Sequence, residues 1–144
     1  MLHMKDTELK KQRDRDLYAA YVDGLRTRTF SSLGEAAEYA RKQKAPQYYI
    51  SARAASLLIG KIQGNISLID VHENSRRRIW DLYEKFQEHC KNNPDSKESR
   101  EIILERLVET PAPEFFLTNS RAKHIIMEER RKRRSVMRNK GHNR

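Results

Sequence analysis

The sequence predicts a mostly α-helical domain of two pseudo-repeated helix–short strand–helix halves, with a basic C-terminal helix or tail. Three observations carry this expectation. A seven-residue motif occurs twice at an offset of 67, apolar residues elsewhere recur at helical spacing, and positive charge gathers at one end.

Taken in chain order, Met1-Leu2-His3-Met4-Lys5 leads into charged residues without an apolar stretch and cleavage site, so no signal peptide is expected. Leu17, Tyr18, Tyr21 and Leu25 follow one helical face, and Gly24 suits a helix stop. Ser32 with Glu35 forms a capping-box pattern ahead of Ala36, Tyr39 and Ala40. The motif Ala45-Pro46-Gln47-Tyr48-Tyr49-Ile50-Ser51 follows, then the helical set Ala54, Ala55, Leu58, Ile59 and Ile62. Residues 64–71 read either as a strand through Ile66, Leu68 and Ile69 or as a loop anchored in the core. Asn74 or Ser75 caps an amphipathic helix bearing Ile79, Trp80, Leu82, Tyr83, Phe86 and Cys90. After the turn Asn92-Asn93-Pro94-Asp95, Asp95 or Ser96 starts a helix that buries Ile103, Leu104, Leu107 and Val108. The second motif, Ala112-Pro113-Glu114-Phe115-Phe116-Leu117-Thr118, precedes Ala122, Ile125 and Ile126.

The motif has a physical reading. Proline fixes its own φ and drives the preceding alanine out of the α region, so the chain enters extended. Two aromatics and an aliphatic residue favour a short strand, and Ser51 or Thr118 then caps the next helix. Strands Gln47–Ile50 and Glu114–Leu117 are expected to pair as an antiparallel two-stranded ribbon. The organisation expected is one helical domain over 1–127, with pseudo-repeats near 31–62 and 98–129, and a basic extension over 128–144.

Charge narrows the function classes. Of a net +10, the segment from Asn119 to Arg144 carries +8, with ten basic residues opposed by Glu128 and Glu129 alone. A cationic end on a nearly neutral body attracts polyphosphate backbones, acidic protein surfaces or anionic lipid. Lipid is disfavoured because the segment lacks Trp, Phe or Leu on an opposite face. The single cysteine forms no intrachain disulfide, which suits a reducing, cytoplasmic setting.

No catalytic pattern stands out. The chain has no phosphate-binding Gly-rich loop and no nucleophile elbow, and the five histidines do not pair at ligand spacing. His89-Cys90 reads as a core cysteine beside an edge histidine, and Asp70-Val71-His72-Glu73 as loop charge. No metal or cofactor is expected. Arg76-Arg77-Arg78 falls in the first turn of its predicted helix, where the dipole disfavours cations. Compensation would come from phosphate, or from Glu73, Asp81 or an acid across the fold. Of the paired aromatics, strand alternation would turn one ring inward and offer Tyr49 and Phe116 for stacking on bases, unless helices cover both faces.

Taken together, Asp16-Leu17-Tyr18, Ala36-Ala37-Glu38-Tyr39-Ala40-Arg41-Lys42-Gln43, Ala54-Ala55-Ser56-Leu57 and the two motifs, the second preceded by Pro111, resemble a group of proteins. These are small basic hypothetical proteins of gut-type bacteria and their prophages or conjugative elements. The likeness spans nearly the whole chain. It implies a bacterial or phage cytoplasmic context and brings no catalytic residue with it.

The expected function is a non-enzymatic nucleic-acid-binding accessory protein of a phage or mobile element, with DNA or RNA as partner. Arg76, Arg77, Arg78, Arg121, Lys123, Arg130, Arg131, Lys132, Arg133, Arg134, Arg138 and Lys140 are the expected phosphate contacts. The basic tail, having lost its apolar stripe, is expected to fray alone and to order on a polyanion. A ribbon-type major-groove reader, using Gln47 and Glu114, stays open. The alternative is an interaction or structural subunit that docks its tail on an acidic partner, such as a polymerase, reverse transcriptase, ribosome or virion component. A protein partner in a replication, transposition or virion complex fits either reading, and the oligomeric state stays open.

Overall fold

In a computed structural model, residues 5–142 are described, with side chains as far as Arg138. The described residues form six helices: α1 (Asp6–Thr27), α2 (Leu33–Arg41), α3 (Ala52–Gln63), α4 (Glu73–Asn92), α5 (Arg100–Leu107) and α6 (Asn119–His142). No strand forms among them. The fold is mostly α, and no described helix is long and apolar enough to cross a membrane.

Short polar caps start most of these helices. Ser32, Ser51 and Ser99 accept hydrogen bonds from Glu35 N, Ala54 N and Ile102 N, and Thr118 accepts one from Arg121 N. Ser99, rather than Asp95 or Ser96, begins α5. His72, rather than Asn74 or Ser75, caps α4 through Nδ1, which accepts from Asn74 N at 3.3 Å. That shift moves Arg76–Arg78 past the first turn, where the dipole effect has largely faded. Residues 64–71 form a loop in which Leu68 is buried while Ile66 and Ile69 stay exposed. Gly24 does not stop α1. Its Cα lies so close to Tyr39 that an added Cβ would sit 2.9 Å from the ring, so it permits α1 and α2 to approach. Leu25 and Cys90 are exposed rather than core residues.

The helices interlock. With α1–α3 as the first half of the chain and α4–α6 as the second, α2 packs on α1 in the first and α5 packs on α4 in the second. Each half's last helix packs on the other half: α6 lies against α1 and α2, and α3 lies against α4 and α5. No packing links α3 to α2, or α6 to α5, among the described residues. Neither half therefore buries its last helix by itself.

The two motifs meet at the centre, but not as a ribbon. Pairing is limited to one antiparallel bridge, with Ala45 N donating to Ala112 O at 3.0 Å and Ala112 N to Ala45 O at 2.9 Å. Two causes stop the ladder. Pro46 and Pro113 have no N–H to donate, and Tyr49 (φ 56°) and Phe116 (φ 55°) turn the chain through the left-handed region. The amides two residues past each proline instead cap helix ends across the centre. Tyr48 N donates to Val108 O at 2.9 Å, and Phe115 N to Arg41 O at 3.0 Å.

The left-handed residue also cancels strand alternation, so both rings of each motif point inward. Tyr48, Tyr49, Phe115 and Phe116 are all buried. Tyr48 stacks on Phe116 with centroids 6.4 Å apart, and Tyr49 on Phe115 at 6.1 Å. The expectation that Tyr49 and Phe116 offer their rings to bases is corrected here, because both are core residues.

The Tyr48 hydroxyl donates to Asp81 Oδ2, and that of Tyr49 to Asp16 Oδ2 at 2.5 Å. Burial first, and the acceptor carboxylates second, hold both phenols far above the ordinary tyrosine range. The folded state therefore favours the neutral phenols. Their contribution is fully present below about pH 10, where unfolded tyrosine ionises, and is lost as pH rises beyond it. The melting temperature should fall above about pH 10, and less steeply in Tyr48→Phe and Tyr49→Phe. A spectrophotometric titration should show two tyrosines that ionise only on unfolding. If all ionise freely in the native protein, the buried donors are misassigned.

Candidate nucleic-acid interface

Helix α6 begins as a core helix and ends as a cationic rod. Ala122, Ile125 and Ile126 are buried against the body, and the last inward residue of that stripe is Glu129, only 7% exposed. From Arg131 to Arg138 every residue is exposed. The helix nevertheless continues unbroken to His142, where fraying was expected.

Ion pairs along the helix offset part of the charge repulsion there. Arg131 pairs with Glu128 at 2.5 Å, and Glu129 receives Lys132 at 3.4 Å and Arg133 at 3.9 Å. Such i,i+3 and i,i+4 pairs contribute about 0.2–0.5 kcal/mol each. Arg133 also lays its guanidinium over the Tyr18 ring of α1, 4.3 Å from the centroid.

These pairs divide the cationic run into two sets. Arg131, Lys132 and Arg133 are satisfied within the fold. Arg130, Arg134 and Arg138 have no carboxylate partner among the described residues, and their four-residue spacing aligns them on one stripe. With Tyr18, Arg133 and Met137 they border an open groove of about 540 Å³ between α6 and α1. Arg121 and Lys123 are exposed near the start of the same helix, about 22–25 Å from Arg138 at 1.5 Å per residue. The side chain of Lys140, together with Asn143 and Arg144, lies outside the described residues.

The arginine triplet does not act as one unit. Arg76 borders two shallow grooves that share Trp80. Arg77 pairs with Glu114 at 2.5 Å and lies over the Phe116 ring, so Glu114 is engaged rather than poised to read a groove. Arg78 turns inward, where Nη1 donates to Tyr49 O at 3.2 Å and more weakly to Tyr48 O at 3.5 Å. Desolvation, and then the Arg13 charge, lower its pKa. As a phosphate contact Arg78 is corrected: it is a strut for the first motif. Helices α4 and α6 do not pack on each other, so the triplet and the cationic rod are separate features.

Replacing Arg78 with Ala should cost about 2 kcal/mol in urea unfolding, because two motif carbonyls lose a charged donor. Arg76→Ala should stay within about 0.5 kcal/mol. Equal effects at the two positions would contradict the assignment.

No family model, curated protein or solved structure matches this chain.

Proposed function

We propose that the protein is a non-enzymatic nucleic-acid-binding accessory protein whose principal phosphate-contacting element is the distal half of α6. The observation that carries this reading is the stripe of Arg130, Arg134 and Arg138, unpaired within the described fold and bordering one groove with Tyr18. Three like charges held four residues apart repel one another in the free protein, and phosphates relieve that repulsion. Arg121 and Lys123, exposed, and Arg76, half-buried, add charge elsewhere. A phage or mobile-element context is part of the proposal.

The same reading takes the body as two repeats of helix–helix–motif–helix, the last helix of the second repeat being prolonged into the rod. The matched bonds Tyr48 N to Val108 O and Phe115 N to Arg41 O, whose donors are 67 residues apart and whose acceptors are also 67 apart, support it. So does the reciprocal packing of α3 and α6.

A second reading, an interaction subunit, is favoured by one patch. Trp80 of α4 and Ile66 and Ile69 of the 64–71 loop are exposed around a single shallow groove.

The test is a gel-shift series with duplex DNA, single-stranded DNA and structured RNA at several salt concentrations. Binding should weaken linearly in log K against log salt, by about 0.9 per phosphate contacted on duplex DNA. Absence of binding at low salt would transfer the lead to the interaction subunit.

A further inference from the structure

We infer that the distal half of α6 inserts into the major groove of B-form duplex DNA, making duplex DNA rather than RNA the ligand of this site. The inference rests on the nucleic-acid reading above and gives it a specific partner. Successive helical residues point about 100° apart, so eight exposed residues in a row, Arg131 to Arg138, leave the rod open on nearly every side. It is flanked on one side, where Arg130, Arg133, Arg134, Met137 and Arg138 border the groove against Tyr18 of α1. An α-helix about 10–12 Å across fits the major groove of B-DNA, about 12 Å wide. The A-form groove of duplex RNA is deep and narrow and does not admit it.

A second observation points the same way. Val136 (53% exposed) and Met137 (69% exposed) sit among the arginines, where backbone neutralisation alone has no use for them. On the helical wheel Met137 falls between Arg130 and Arg133, at the edge of the unpaired stripe. In the major groove an apolar side chain there meets the C5-methyl of thymine, while the flanking guanidinium groups reach phosphates or the O6 and N7 of guanine.

The test uses the full chain and three fluorescent duplexes of one sequence: DNA, RNA, and DNA with deoxyuridine in place of thymidine. Anisotropy at about 0.15 M salt should rank DNA at least about tenfold tighter than RNA. The deoxyuridine duplex should bind severalfold more weakly than its thymidine parent, and Met137→Ser should shrink that difference. Equal affinity for DNA and RNA, or for thymidine and deoxyuridine duplexes, overturns groove insertion while backbone binding stands. Binding to neither duplex type overturns the underlying reading as well.

Discussion

Changing Arg130, Arg134 and Arg138 together to Gln should lower affinity for duplex DNA about 150-fold at about 0.15 M salt, while leaving the fold intact. Three contacts at about 0.9 each make the log K against log salt slope shallower by about 2.7. Extrapolated to 1 M, where the counterion term vanishes, that difference amounts to about two decades at physiological salt. Stability should hold or rise slightly, because none of the three has a carboxylate partner to lose and their mutual repulsion is removed. The informative control is Arg131, Lys132 and Arg133 to Gln, which removes the same charge. These three are held by Glu128 and Glu129, so a phosphate must compete for them, and the loss of affinity should be smaller. Anisotropy titrations at four salt concentrations read both slopes. An unchanged slope in the first variant, with circular dichroism preserved, would remove α6 from the interface.

The largest stability effect is expected at the centre of the body. Tyr48→Ala should cost about 3–5 kcal/mol, as for other large aromatic truncations in a core. Tyr48 is 1% exposed, stacks on Phe116, carries Lys85 Nζ 5.0 Å from its ring centroid, and donates its hydroxyl to Asp81. Its backbone amide also caps α5 through Val108 O. In a chain of this size the loss corresponds to a fall in melting temperature of about 10–20 °C. Tyr48→Phe keeps the ring and loses only the charged hydrogen bond, costing about 1.5–3 kcal/mol. Trp80→Ala, at a ring that is 49% exposed, provides the surface comparison and should cost far less. A Tyr48→Ala variant within 1 kcal/mol of the parent would mean that the motif does not organise the core.

Part of this arrangement was already legible in the residues. The doubled Ala-Pro-aromatic-aromatic pattern marks the two segments that meet at the centre. Hydroxyl residues mark helix starts at Ser32, Ser51 and Thr118. A further signal passed unread. Asp16-Leu17-Tyr18 with Tyr21 matches Asp81-Leu82-Tyr83 with Phe86 at an offset of 65, and both aspartates receive a tyrosine hydroxyl from the first motif. The offset differs from 67 by two because the connection over 93–99 is two residues longer than that over 28–32. Aligning these triplets would have placed α1 and α4 in corresponding roles. The i,i+3 and i,i+4 spacing of Glu128 and Glu129 to the next three basic residues was likewise open to view, and it separates paired from unpaired cations.

By itself the sequence determined the helical composition, the helix caps at Ser32, Ser51 and Thr118, the two motifs and the crowding of charge into one end. All of these depend on neighbours within a few residues, through rotamer freedom, proline geometry, capping oxygens and charge spacing. What only the tertiary structure decided is which way each side chain faces once distant segments meet. A left-handed turn at Tyr49 and Phe116 put both rings of each motif in the core. Arg78 turned inward because the Tyr48 and Tyr49 carbonyls, some 30 residues earlier in the chain, needed a donor. Arg130, Arg134 and Arg138 became a stripe beside Tyr18 because α6 crosses to pack on α1, a contact no local rule encodes. Long-range packing, rather than propensity, fixes which charges are consumed by the fold and which remain for a ligand.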